Sequence, residues 1–309
     1  MKKRVLVIGG SMFAGRVFSL LASRTGEIEL HVVNRGKLPL GELENVKEYK
    51  CDRHSARAFG RIVPDLEFDA LVDFCAYGEG EIAPIADAVK SRVKQYVYIS
   101  SADVYDPAFR GVKTEGSPTL PELPAPPPAG APVPPALGKL LLERELIGSA
   151  SALGMSYTIL RPAFIYGPFN YNPRESWFIE LISRRHVAPV PIDATASFSL
   201  VYVKDVANAL IALSGDERAR DGIFNLSGPE KISYTRLISD FERYNGGAFD
   251  TRELTVAEAL REHIPLPFPT TEDYLISGEK FASAFDFKYT PFAEGMENTF
   301  RTFYSLFTS

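Results

Sequence analysis

Arg4-Val5-Leu6-Val7-Ile8-Gly9-Gly10-Ser11-Met12-Phe13-Ala14-Gly15-Arg16-Val17 is the stretch whose reading decides the fold. An aliphatic, β-branched run meets glycines and passes into a helical pattern carried by Phe13, Val17, Leu20 and Leu21, so it reads as strand, tight turn and helix. That sequence of elements opens a dinucleotide-binding βα unit. Gly9 allows the turn, Gly10 or Ser11 lets backbone approach a pyrophosphate, and Gly15 lets the helix pack closely on the strand, with the helix N-terminus facing the phosphate charge. The spacing is G-G-x-x-x-x-G, and Met12 stands where the usual fingerprint has its central glycine.

Outward from this unit, residues 28–33 form a second strand ending at Asn34-Arg35-Gly36, where such folds meet the adenosine ribose. An acid there would accept from the 2′-hydroxyl of NAD. Neutral Asn34 followed by the guanidinium of Arg35 favours a 2′-phosphate, hence NADP over NAD. Further strands are expected at 46–53, 68–77 and 95–101, and helices at 56–62 and 82–93. Alternating strands and helices with continuous apolar strands predict an α/β protein, a Rossmann-type doubly wound parallel sheet.

Nine of the eighteen positions from 118 to 135 are proline. Such a run makes neither helix nor central strand, and it is expected to be a polyproline-like loop, either a partner-binding surface segment or a stiff flap over a cleft. A helix over 137–152 and a strand over 157–162 follow. We divide the chain into a dinucleotide-binding domain, residues 1–165, and a smaller C-terminal substrate lobe, residues 166–309, with 198–226 returning to the Rossmann sheet.

Composition narrows the function classes. The 309 residues are 45% hydrophobic and 24% charged, as in a globular protein with a sizeable core. A net charge of −5 without a Lys/Arg cluster argues against nucleic acid as a partner. The apolar run after Met1-Lys2-Lys3-Arg4 is too short for a signal peptide or membrane span, so a cytoplasmic location and no membrane partner are expected. Only Cys51 and Cys75 are present, which fits a reducing compartment. His31, His54, His186 and His263 lack ligand spacing, and no metal site is expected.

Several segments together carry a resemblance: Gly9 to Gly15, Val33-Asn34-Arg35-Gly36, Asp52-Arg53, Asp73-Phe74-Cys75-Ala76-Tyr77, Tyr98-Ile99-Ser100-Ser101-Ala102-Asp103-Val104-Tyr105, Leu160-Arg161-Pro162 with Tyr166-Gly167-Pro168, and Val201-Tyr202-Val203-Lys204-Asp205-Val206. In this order, across about two-thirds of the chain, they resemble an extended short-chain dehydrogenase/reductase of the NAD-dependent epimerase/dehydratase family, in its atypical G-G-x-x-F-x-G branch. The resemblance implies cofactor contacts from Gly9, Gly10, Ser11, Met12, Phe13 and Gly15 at the pyrophosphate, and from Asn34 and Arg35 at the adenosine ribose. It further implies Asp52 and Arg53 at the adenine, Cys75, Ala76 and Tyr77 at the inner ribose, and Ser100, Lys139, Pro162, Phe164 and Ile165 around the nicotinamide. Ser101, Asn170, Tyr171 and Arg174 match substrate positions.

Ser101 and Lys139 match the family's catalytic serine and lysine. The tyrosine four residues before that lysine falls on Pro135, which has no titratable group. A register shifted by two puts Leu137 and Leu141 there instead and explains less. The proton role is then open to another tyrosine, with Tyr105 the first candidate and Tyr166 and Tyr171 the others, or to a water or substrate relay through Ser101 and Lys139. The implied activity is hydride transfer on a sugar nucleotide or related polar metabolite, with a homodimer by analogy. The alternative is a catalytically impaired NAD(P)-binding sensor or scaffold that presents its proline-rich loop to a partner.

Overall fold

The computed structural model describes residues 2–121 and 133–309, so most of the proline-rich segment lies outside the described residues. The first half alternates β1 (Lys3–Ile8), α1 (Phe13–Thr25), β2 (Ile28–Asn34), β3 (Val46–Lys50), α2 (Ala56–Ile62), β4 (Ala70–Asp73), α3 (Ala83–Val89) and β5 (Gln95–Ile99). Then come α4 (Pro135–Leu153), β6 (Ser156–Pro162), β7 (Phe164–Tyr166), α5 (Glu175–Ser183), β8 (Ala188–Pro191), β9 (Phe198–Tyr202), α6 (Val203–Leu213) and β10 (Gly222–Leu226). The chain ends with β11 (Lys231–Ile232), α7 (Tyr234–Asn245), β12 (Thr251–Leu254), α8 (Val256–Arg261), α9 (Glu279–Phe285) and α10 (Phe292–Thr308).

Seven strands form one parallel sheet in the order β10-β6-β5-β4-β1-β2-β3. The order reverses between β1 and β4, which opens a crevice at their carboxyl ends. Alternation along β1 explains the layering: Val5 and Val7 join a core beneath α1 and α6, while Leu6 and Ile8 join one beneath α2, α3 and α4. The doubly wound Rossmann-type sheet expected from the sequence is the fold observed.

One segment differs from its expected place. Of residues 198–226, only β10 enters the central sheet; β9 pairs instead with β7 and β11 in a separate three-stranded sheet, and α6 packs on α1. The physical reason is the aromatic face of β9, where Phe198 stacks on Phe268 and Tyr202 on Tyr166, so that the strand belongs to the C-terminal core.

Candidate active site

The turn after β1 is built as a cradle. Gly9 and Gly10 have φ of +98° and +74°, a region that L side chains avoid. A Cβ on Gly9 would lie 2.5 Å from Cys75 Sγ, and one on Gly15 would lie 2.9 Å from Gly10 Cα. Helix α1 starts with no side-chain cap and no acid in its first turn, which leaves its N-terminal amides for an anion.

The cradle is one end of a cavity of about 610 Å³ along the carboxyl edge of the sheet. Asn34, Arg35 and Asp52, at the ends of β2 and β3, line it near the cradle, with Cys75 and Tyr77 beyond β4 and Ser101, Phe164 and Arg174 toward its far end. Every cofactor and substrate residue expected from the sequence lines this cavity except Ala76. Ala76 is fully buried and acts through its carbonyl, which accepts from Lys139 Nζ at 3.1 Å and from Tyr98 Oη at 3.2 Å.

Several lining side chains are already engaged. Arg53 donates both hydrogen bonds of Nη1 to the Asp73 carboxylate, at 2.7 and 2.8 Å, and Nη2 to the Glu81 carbonyl at 2.6 Å. Asp73, at the end of β4, also accepts from Tyr96 Oη at 2.6 Å and the Cys75 amide at 2.8 Å. This buried knot shapes the crevice wall. Asn34 donates to Glu48 and accepts from the Gly36 amide, and Asn170 donates to buried Glu175. These side chains hold their turns; Arg35 and Arg174 also line the cavity, with the Arg174 guanidinium 4.9 Å from the centre of the Phe164 ring.

Lys139 reaches the cavity from the first turns of α4. Its ammonium donates to the Ala76 and Ile99 carbonyls, at 3.1 and 2.9 Å, and lies over the Tyr77 and Tyr98 rings. Burial pushes its pKa down to about 8, against the opposing pull of Asp73. One turn later, Glu143 pairs with Arg161 of β6 at 2.6 Å, which ties the helix to the sheet. Pro135 occupies the first position of α4, where a missing N–H costs nothing, and its side chain is exposed.

Of the tyrosines considered for the proton role, Tyr171 lines the cavity, whereas Tyr105 and Tyr166 do not. Tyr105 is absent from the lining: its hydroxyl donates to Asn225 Oδ1 at 2.7 Å, and Arg161 covers its ring. Tyr166 is buried against Tyr202 and Phe292, and Tyr171 sits exposed at the mouth, edge-on to Phe13. The Tyr105 phenol is buried and already satisfied inside the protein.

Tyr274 also lines the cavity, and its hydroxyl donates to Asp103 Oδ1 at 2.8 Å. Ser101 Oγ donates to Asp103 Oδ2 at 3.0 Å. Sequence reading passed over both Asp103 and Tyr274. Asp103 stands two residues from Ser101 inside a quoted motif, whereas no local signal marks Tyr274.

The residues present fit a nicotinamide dinucleotide. The glycine cradle has no room for side chains and, among the described residues, α1 has no side-chain cap and Ser100 Oγ, on the cavity wall, is buried without a hydrogen-bond partner. When bound, such a cofactor supplies reversible hydride acceptance at the nicotinamide ring.

Fold and site together define an α/β protein with a dinucleotide cleft at its topological switch point. The chain belongs to the NAD dependent epimerase/dehydratase family, whose model matches residues 5–227. It is 30% identical over 258 residues to the chloroplast stem-loop binding protein of 41 kDa b from Arabidopsis thaliana, covering 79% of this chain and 64% of that protein's length. The UDP-glucuronic acid 4-epimerase of Bacillus cereus in complex with NAD superposes with a TM-score of 0.78 at 15% identity, over 98% of this chain and 99% of that one. The UDP-glucose 4-epimerase of Thermotoga maritima, solved with UDP-glucose, gives 0.77 at 18% identity, over 98% and 99%. Among the described residues no helix is long and apolar enough to cross a membrane, and no cluster of potential ligands suits a metal.

Proposed function

We propose that this protein is an NAD(P)-dependent epimerase, dehydratase or reductase that acts by hydride transfer on a nucleotide sugar or related polar metabolite. The observation that carries the reading is the single cavity that joins the glycine cradle to Ser101, Lys139 and Arg174. In it the α1 amides hold the diphosphate and Lys139 meets the inner ribose. Ser101 holds the reacting oxygen, and Arg174 faces an anionic part of the substrate. Arg35 and Lys37 on the adenosine wall support NADP as the preferred cofactor. Division at residue 165 into a cofactor part and a substrate lobe belongs to this reading, as does a homodimer. Free Cys51 and Cys75 support a reducing, cytoplasmic setting.

Calorimetry with NAD and NADP tests the cofactor, and absorbance at the reduced-nicotinamide band with UDP-glucose, UDP-glucuronic acid and dTDP-glucose tests the reaction. Cofactor binding without any turnover would favour the second reading, a sensor or scaffold. That reading is supported by the exposed proline at position 135 and the proline-rich run that precedes it. A pull-down comparing the full chain with one lacking residues 118–132 tests it.

Stem-loop binding, which the Arabidopsis relative's name describes, is not part of the proposal. Phosphate recognition needs clustered, available cations, and here Lys47, Arg53, Lys94, Arg110 and Arg161 are paired with carboxylates. A gel shift with stem-loop RNA at rising salt checks this.

A further inference from the structure

At the far end of the cavity three polar side chains form a hydrogen-bonded chain. Asp103 accepts from Ser101 Oγ at 3.0 Å on one carboxylate oxygen and from Tyr274 Oη at 2.8 Å on the other. The Asp103 amide donates to Ser101 Oγ at 3.2 Å, which fixes the direction of the serine hydroxyl. Tyr274 comes from a segment 171 residues away and is clamped there: its amide donates to Ser197, its carbonyl accepts from Ser199, and its ring stacks on Phe164 at 4.5 Å. Asp103 lines the cavity and is also exposed, so its carboxylate touches both the site and bulk water. Position 135, four residues before Lys139, offers no titratable group.

We propose that Ser101, Asp103 and Tyr274 are the proton path of this site: Ser101 meets the substrate hydroxyl, Asp103 receives the proton and releases it to water, and Tyr274 positions the Asp103 carboxylate. The inference rests on the hydride-transfer reading above. In the oxidative direction the carbinol C–H bond breaks and its electron pair leaves as hydride to the oxidised nicotinamide. The carbinol O–H proton passes to Ser101 Oγ as the serine's own proton passes to Asp103 Oδ2, and the substrate becomes a ketone. Asp103 goes from carboxylate to acid and returns by giving its proton to solvent. Ser101 is the catalytic residue here; Asp103 and Tyr274 act through it.

Asp103→Asn keeps the shape and removes the acceptor. With NAD or NADP bound and UDP-glucose, UDP-glucuronic acid and dTDP-glucose as probes, it is expected to lose about 100-fold in kcat while KM changes little. Asp103→Glu restores much of the loss. Tyr274→Phe, which keeps the stack on Phe164, loses roughly 10-fold and carries the same test where the Asp103 variant does not fold. Cofactor affinity by calorimetry and the thermal midpoint stay near wild type in all three; a role in folding alone would lower both and would not be rescued by Glu.

A second readout needs no turnover. Burial and the Asp103 charge hold the Tyr274 phenol well above its ordinary value, while Arg174, above Phe164, pulls it down. Lys113 faces the same ring, and Tyr105 lies nearby; both stay in place. In Asp103→Asn, NMR of ring-labelled tyrosine is expected to show Tyr274 ionising at lower pH, with Tyr274→Phe assigning the signal. An active wild type whose Asp103→Asn variant is equally active, or a Tyr274 ionisation that does not move, overturns the proton path and leaves the hydride-transfer reading standing. A wild type that binds cofactor and turns over none of the probes overturns both.

Discussion

Lys139 concentrates the electrostatics of the site in one side chain. Its ammonium is held among two carbonyls and two aromatic faces, yet burial still brings its pKa down from 10.5 to about 8. Between those values the folded protein has shed a proton that the unfolded chain keeps, so this group's contribution to stability rises with pH from about 8 to 10.5. In urea unfolding, the advantage of wild type over Lys139→Met is therefore expected to grow across that interval; a pH-independent difference would contradict the depressed value. Arg35 is argued at the same scale. Arg35 lines the cavity where the proposal places the adenosine, and Arg35→Ala should weaken NADP by about tenfold, roughly one charged hydrogen bond, with little effect on NAD. Equal losses for both cofactors would remove the case for NADP.

Helix α4 shows how one element sets several site positions at once. Pro135 starts it, Gly138 lets it approach the loop after β4 so closely that a Cβ would sit 3.1 Å from the Tyr77 carbonyl, Lys139 enters the cavity, and Glu143 anchors it on Arg161. Lys139 and Glu143 are four residues apart and so share a face, but only the family resemblance singled out Lys139 in the sequence. The ion pair is nearly fully buried. Glu143→Ala would leave the Arg161 guanidinium desolvated and unpaired, at a cost of about 3–5 kcal/mol read from denaturant midpoints. A loss below about 1 kcal/mol, the range of an exposed pair, would show that water reaches it.

At the level of the whole molecule, the division suggested by sequence texture does not divide the core. Val5 and Val7 of the central sheet share one apolar cluster with Phe178, Phe241 and Phe300 of α5, α7 and α10. Heating is therefore expected to give one cooperative transition with matching calorimetric and van't Hoff enthalpies. Saturating cofactor, at about 100 times its Kd, should stabilise the fold by about 2.7 kcal/mol and raise that single transition. Two separate transitions, with only the first shifted by cofactor, would show that residues 166–309 fold independently.

The sequence by itself determined the parallel sheet and the cradle, because strand and helix periods and glycine turns are local and repeat at fixed spacing, while most of the cavity wall was legible only through the family resemblance. Placement of β9 outside the central sheet and the burial of Tyr105 depended on which aromatic faces pack together, and periodicity does not encode partners. Tertiary structure alone brought Tyr274 onto Asp103 across 171 residues and closed Arg53 on Asp73. A hydrogen bond between distant side chains is made by folding geometry and has no counterpart in the order of residues.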